Sequence, residues 1–419
     1  MKILQVNHKL NDALLSKWIG FLVFLFSISV LALPGHGGQV VIMLLFVSLY
    51  VVIFKRQNAP INKKERIFVY AVFLWFFWQS FGVVYQPLGY EYEGIREQLS
   101  AFDNVSRWLL LMPIFFLFRH YIVDWRLVAI GISIGVIISV SIAHYEVYFL
   151  NKNRAFGGSN HTIPFAELMV VSDLLLWMLM IHAWNKGKKV ILYLTLFSSV
   201  IAFYGSLLSV TRGAWLAYIF MILIWLIYTI KKSFFDRKHL FSKPILLRLL
   251  FAVSVFFAVS QTEQYEILKS RTQATTSDLA AGNYESASSS RLSIFKDAIK
   301  HSEKYPFGIG TRNFEKIDPD GYPYNAHNQM LNVLVENGVQ GLLSLLLLMI
   351  IAFRFFWKNL NHINETIAIY ASCGLMLIVA YTIFSQSQVV FDHHQTLIFF
   401  IFYLYFFFSQ IQALSKQEK

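Results

Sequence analysis

Long apolar stretches alternate with short polar ones along most of the chain, and runs such as WIGFLVFLFSISVLAL and IFFIFYLYFFF hold no charged residue. A helix that crosses a bilayer needs roughly 20 mostly apolar residues. Runs that fit begin near Lys17, Gln39, Ile67, Arg107, Leu127, Ile163, Val190, Gly213, Pro244, Gly338, Ile367 and Thr396, which predicts about twelve spans. The second (Val40 to Phe54) and the ninth (Pro244 to Val259) are the short ones. The predicted fold is therefore all-α and polytopic, a single membrane domain over residues 1–419. One interruption is long: residues 260–326, a large loop with short helices inserted in it, between spans nine and ten. It begins polar and turns periodic from Arg291 to Lys304, where Leu292, Phe295 and Ile299 share a helical face. Ser289 or Ser290 would cap that helix, and Pro306 would end it.

Composition agrees with a membrane protein and excludes other classes. Of 419 residues, 56% are hydrophobic and only 14% charged, where a soluble chain would carry about 25%. That argues against a cytosolic enzyme, a disulfide scaffold or a disordered chain. The single Cys373 lies in an apolar run and can form no internal disulfide. The net charge of +12 comes without a basic stripe of the kind that binds nucleic acid, so no nucleic-acid partner is expected. Most of the Lys and Arg residues fall on alternate connections, which fixes an orientation with both termini cytoplasmic. The first run is followed by PGHGGQ and has no convincing cleavage site, so it reads as a span.

Against a nearly neutral outer face, a few residues stand out. Arg291 heads the helix of the large loop, where a cation opposes the helix dipole. It is either a surface charge or, with the free amides of the helix start, a phosphate ligand. Gly308 and Gly310 of YPFGIGTRNF permit a tight turn, and Arg312 follows them as a further diphosphate contact. His327 closes the loop at the membrane surface, followed by Asn328 and then by Gly338 and Gly341, whose small size lets a helix or lipid group approach. Arg212 lies in the two-residue connection of SVTRGAWLA, with almost no loop to solvate it; snorkelling to the interface is its plain explanation. In the outer connection NKNRAFGGSNHT, Lys152 and Arg154 are either anion ligands or solvated charges. Glu167, Asp173 and Glu336 are intramembrane carboxylates, functional candidates or partners of the outer arginines. His393 and His394 are a conceivable metal pair but read better as interfacial residues, and no metal or cofactor is expected.

Together these pieces resemble the bacterial O-antigen ligase family, which shares a membrane domain with O-antigen polymerases and protein O-oligosaccharyltransferases. The family's hallmark is a His followed by Asn, Ser or Gln, nine residues, then Gly, two residues and Gly. Here it runs from His327 and Asn328 to Gly338 and Gly341. YPFGIGTRNF, TRGAWLA and SSSRLSIF are similar to the family's Gly-rich segment, its Arg-bearing outer turn and its second Arg. The resemblance covers residues near 204 to 345 well and the topology loosely. It implies transfer of a glycan from undecaprenyl diphosphate to a sugar hydroxyl of lipid A–core, at the periplasmic face of the inner membrane. His327 would be the general base, Arg291 and Arg212 would hold the diphosphate, and Asn328, Arg312, Gly310 and Gly338 would contact substrate. The transfer would invert the anomeric centre and need neither metal nor nucleotide. A polysaccharide polymerase is the rival within the class; a transporter or flippase of lipid-linked sugars is the rival outside it. A protein O-oligosaccharyltransferase fits less well, because the chain lacks the outer C-terminal domain typical of those enzymes.

Overall fold

The computed structural model describes residues 2–33, 36–54, 60–220, 260–283, 291–317 and 325–418, with isolated positions between 223 and 257. Among the described residues every long element is a helix. Ten are long and apolar enough to cross a membrane, as predicted for ten of the twelve spans. The predicted eighth and ninth spans lie outside the described residues, apart from a helical stretch at 212–220 and a few isolated helical positions.

The first helices are α1 (Lys2–Ala32), α2 (His36–Phe54), α3 (Lys63–Val84), α4 (Ile95–Leu110) and α5 (Met112–Phe118). They are followed by α6 (Trp125–Tyr148), α7 (Thr162–Asn185) and α8 (Lys189–Leu208). The large insertion contributes α9 (Glu263–Ala280) and α10 (Arg291–Lys304), and the chain closes with α11 (Gln329–Asn359), α12 (Glu365–Phe384) and α13 (His394–Gln417). Asn and Asp side chains start several of them. Asn62 and Glu65 form a capping box on α3, Asp124 accepts from the Arg126 amide on α6, and Asn364 accepts from Thr366 on α12.

The fourth span departs from its predicted start at Arg107. The crossing segment runs from Ile95 to Phe118 and is broken at Leu111 into α4 and α5. Pro113 sits in the first turn of α5, where its missing N–H costs nothing but would interrupt a continuous ladder. The polar α4 carries Asp103 and Arg107, which pair with each other, so apolar patterning alone did not reveal it. The helix expected from Arg291 to Lys304 covers those residues as α10; its expected caps, Ser289 and Ser290, lie outside the described residues.

Helices α7 and α13 are central, each 94% buried over its apolar window. Lipid tails are as apolar as leucine, so shape-matched packing holds such a bundle more than water exclusion does. Aromatic rings supply much of it here. Phe68 of α3 stacks on Phe408 of α13 at 4.2 Å, and Trp75 meets Trp108 edge-on at 6.1 Å. Exposed Leu343, Leu347 and Ile350 on α11, and Ile42, Met43 and Phe46 on α2, give these helices lipid-facing sides.

The bundle has two ends of different character. At one, the starts of α3 and α6 meet the ends of α5 and α13, with Glu65, Arg119 and Lys416 in one cluster. The other end carries the segments that join α3 to α4, α6 to α7 and α12 to α13, and on it sit α10 and the start of α11.

Candidate active site

The site grows from the first turn of α11. Asn328 is its N-cap, with a side chain that accepts from the amides of Met330 and Leu331 at 2.9 and 3.1 Å. That leaves His327 just outside the helix with φ of 48°, a left-handed conformation that His adopts more readily than most residues. Its amide donates to Asn325 Oδ1 at 3.0 Å. Gln329 ties the turn to the segment between α12 and α13: its amide donates to the Ser385 carbonyl at 2.8 Å, and its side chain accepts from the Phe391 amide at 3.0 Å. From that same segment Gln388 reaches the imidazole. The other ring nitrogen, Nδ1, is buried and has no hydrogen-bond partner among the described residues. Burial, and then the nearby Arg291 guanidinium, lower the His327 pKa below its ordinary value, while Gln388 opposes them. The ring is therefore neutral at neutral pH.

The large insertion brings Arg291 to His327. Ile294 and Ala298 of α10 pack with Ile309, Phe314, Ala326 and Val335 in a small apolar cluster on the N-terminal part of α11. That packing fixes α10 and sets its first residue, Arg291, beside His327. Arg291 in turn faces Arg212, whose guanidinium donates to the Thr275 hydroxyl of α9 at 2.9 Å. Burial and the Arg212 charge lower the Arg291 pKa, yet a guanidinium stays protonated at any physiological pH. Three residues from separate parts of the sequence thus share one region: the His327 imidazole feels the Arg291 charge, and Arg291 feels that of Arg212. Such a group attracts an anion, and guanidinium geometry matches phosphate oxygens.

The Gly-rich segment serves this arrangement from behind. Gly308 and Gly338 both have positive φ, at 90° and 71°, and Gly338 breaks α11 locally. The break frees backbone groups, which the segment takes up: Ile309 and Gly310 amides donate to the Val335 and Glu336 carbonyls, and the Val339 amide donates to the Pro306 carbonyl. A Cβ on Gly338 would lie 2.3 Å from the Pro306 oxygen, and one on Gly308 equally close to the Glu336 oxygen. Gly310 and Gly338 are buried against protein, and Asn328 is occupied with its cap. Their visible work is to shape the backbone around His327. Arg312, also at positive φ, is exposed and donates to the Ser100 carbonyl and hydroxyl at 3.1 and 2.8 Å.

The remaining sequence candidates scatter. Glu336 and Asp392 line one small cavity of about 30 Å3 with Trp75, Trp108, Gln329 and Asn332, room for a water or two but not for a sugar. Burial raises the Asp392 pKa, with Arg312 pulling the other way. Asp173 accepts from the Ser199 hydroxyl inside the bundle, and Glu167 is buried on α7. His393 lies near His161, whereas His394 lies near Arg107 and Asp103. Among the described residues no group of three or more His, Cys, Asp or Glu could hold a metal. Sequence reasoning missed Gln388 and Thr275, single polar residues whose approach to His327 and Arg212 depends on packing between distant segments.

Comparison with known proteins agrees with the middle of the chain. Residues 197–346 match the family model described as O-antigen ligase, so the chain carries this family's domain. The match spans Arg212, Arg291, Arg312 and His327. Along nearly its whole length, the chain is also similar to an uncharacterized protein of Haemophilus influenzae, at 21% identity over 398 residues, which cover 91% of this chain and 95% of the relative. The ten apolar helices and the match over residues 197–346 together support a multi-pass membrane protein with an O-antigen ligase-type domain.

Proposed function

We propose that this protein is an O-antigen ligase, which moves a glycan from undecaprenyl diphosphate to a sugar hydroxyl of lipid A–core. The observation that carries the reading is the convergence of His327, Arg291 and Arg212 within the matched domain. The acceptor hydroxyl attacks the anomeric carbon as the bond from that carbon to the diphosphate oxygen breaks. A neutral His327 imidazole takes the hydroxyl proton, and the lowered pKa described above favours that neutral form. Negative charge grows on the departing lipid diphosphate, and Arg291 and Arg212 stabilise it through charge-assisted hydrogen bonds. Single displacement inverts the anomeric centre. The donor is activated by its own diphosphate, so no nucleotide enters the reaction.

The distribution of Lys and Arg supports an orientation with both termini cytoplasmic, which puts the site at the periplasmic face of the inner membrane. There the donor and acceptor lipids both present their headgroups. Arg312, exposed beside the Gly-rich segment, would meet the sugar or diphosphate of a bound donor.

The test uses purified protein with undecaprenyl-diphosphate-linked glycan and lipid A–core. Capped lipid A is expected, and it should disappear in His327→Ala and Arg291→Ala proteins that still insert and fold. Lengthened lipid-linked chains without capped lipid A would replace the ligase with a polymerase, which uses the same donor and a second lipid-linked glycan. Undiminished transfer by His327→Ala would remove the proposed base.

A further inference from the structure

Arg212 opens the helical stretch 212–220, and the connection that joins it to α8 is held in an uncommon shape. Val210 has φ of 52°. A β-branched side chain is costly in the left-handed region and persists only where the surroundings impose it. The surroundings are visible. Arg154, from the segment joining α6 to α7, donates through Nε to the Ser209 carbonyl at 2.9 Å and through Nη2 to the Thr211 hydroxyl at 3.0 Å. The two contacts straddle Val210. One residue on, the Ala155 amide donates to the Leu208 carbonyl at 3.1 Å, so the two segments pair side by side.

The Arg154 segment is itself anchored. Glu146, at the end of α6, accepts the amides of Phe156 and Gly157 at 2.7 and 2.8 Å through one carboxylate oxygen. Lys152 Nζ donates to the other at 2.8 Å. A nearly buried carboxylate therefore fixes the loop that presents Arg154, Arg154 fixes the turn at Ser209–Thr211, and that turn ends at Arg212.

We propose that Arg154 is a positioning residue, which locks the strained turn so that Arg212 is presented toward Arg291 and the diphosphate. This rests on the reading of Arg212 as a diphosphate ligand. It differs from a direct role for Arg154 in binding an anion, because both of its groups that contact the turn are already engaged with it. A guanidinium suits the task, since its rigid fork spans two acceptors that lie on either side of one residue, and a lysine would reach only one.

A double-mutant cycle separates these roles, with transfer rates and binding of undecaprenyl diphosphate measured for each protein. Arg154→Gln is expected to cut the transfer rate by about 10- to 100-fold, the range seen when a residue supporting a functional group is removed. In the Arg212→Ala background the same substitution should change the residual rate and the binding less than twofold, because its effect passes through the missing arginine. Arg154→Lys should recover part of the rate, and Thr211→Val, which removes one acceptor, should show a smaller loss than Arg154→Gln. Folding is checked for each variant by size-exclusion profile and thermal unfolding; Thr211→Val keeps the cycle readable if Arg154→Gln does not fold. Multiplicative losses in the double variant would overturn the proposal and make Arg154 a direct ligand. An unchanged rate in Arg154→Gln would overturn it as well. If Arg212→Ala itself keeps full transfer and binding, the reading of Arg212 fails first, and the two failures are distinguishable.

Discussion

At one end of the bundle the Arg119 guanidinium forks onto Glu65, with Nε and Nη2 each donating to a carboxylate oxygen at 2.8 and 2.9 Å, while Lys416 adds a third contact at 3.2 Å. The two side chains are 3% and 0% exposed. At the other end Arg291 faces Arg212 and an imidazole, and among the described residues no carboxylate closes an ion pair on it. Arg119 and Arg291 thus mark opposite ends of the bundle. What separates them is whether the fold supplies the opposite charge. A cation already neutralised by buried carboxylate has its donors filled and holds helices together. A cation gathered with like charge stores unfavourable energy that an incoming anion relieves, which is the property of a site.

The comparison can be broken from either end. The largest effect is expected from His327→Ala, which should reduce transfer by about 10²- to 10⁴-fold, as loss of a general base does, with little change in thermal unfolding. Arg119→Ala should do the reverse and leave Glu65 short of its main partner. A buried pair broken this way costs about 3–5 kcal/mol, read as a clear drop in the apparent unfolding temperature in detergent, with the specific activity of the protein that remains folded nearly preserved. Were Arg119→Ala to abolish transfer while stability stayed normal, the division between a structural and a chemical end would be lost.

Gly338→Ala tests how the two functions meet. Its φ of 71° and the 2.3 Å approach to Pro306 predict a strain of about 1–3 kcal/mol and displacement of the Gly-rich segment. Both stability and transfer should therefore fall, each less than in the dedicated variants.

The smallest effect is in pH dependence. The base is active when neutral, so transfer should be present at high pH and lost as pH falls through the His327 pKa. Since that pKa is lowered in the fold, the acid limb of kcat/KM should lie below the ordinary imidazole value of about 6.5. Arg291→Gln removes one cause of the lowering and should move the limb upward. A limb that stays in place would show that Arg291 does not act on the ring.

Much of the bundle was legible because a membrane helix is a local property: length and apolarity suffice, and ten of the predicted spans are helices. The broken fourth span was less legible, because the polar residues of α4 satisfy one another through contacts such as Asp103 with Arg107. His327, Arg291 and Arg212 were legible as chemistry, being unusual residues at unusual places, and family resemblance set them in order. Their meeting was not, nor was the part of Arg154, which reads in sequence as an anion ligand or a solvated charge in a loop. The tight turn expected at Gly308 and Gly310 was legible, and both have positive φ; the close approach of Gly308 and Gly338 to each other's backbone segments was not, because tertiary packing sets it.

The sequence by itself determined that the chain is helical and membrane-spanning, and which residue types could carry acid–base and anion chemistry. These follow from the hydropathy of contiguous residues and from the intrinsic pKa and geometry of single side chains. Only the tertiary structure decided which charges are neutralised and which gather together. An electrostatic environment is a sum over neighbours brought from distant segments, here α3 with α5 and α13 at one end, and α10 with the start of α11 at the other. No local pattern encodes that sum.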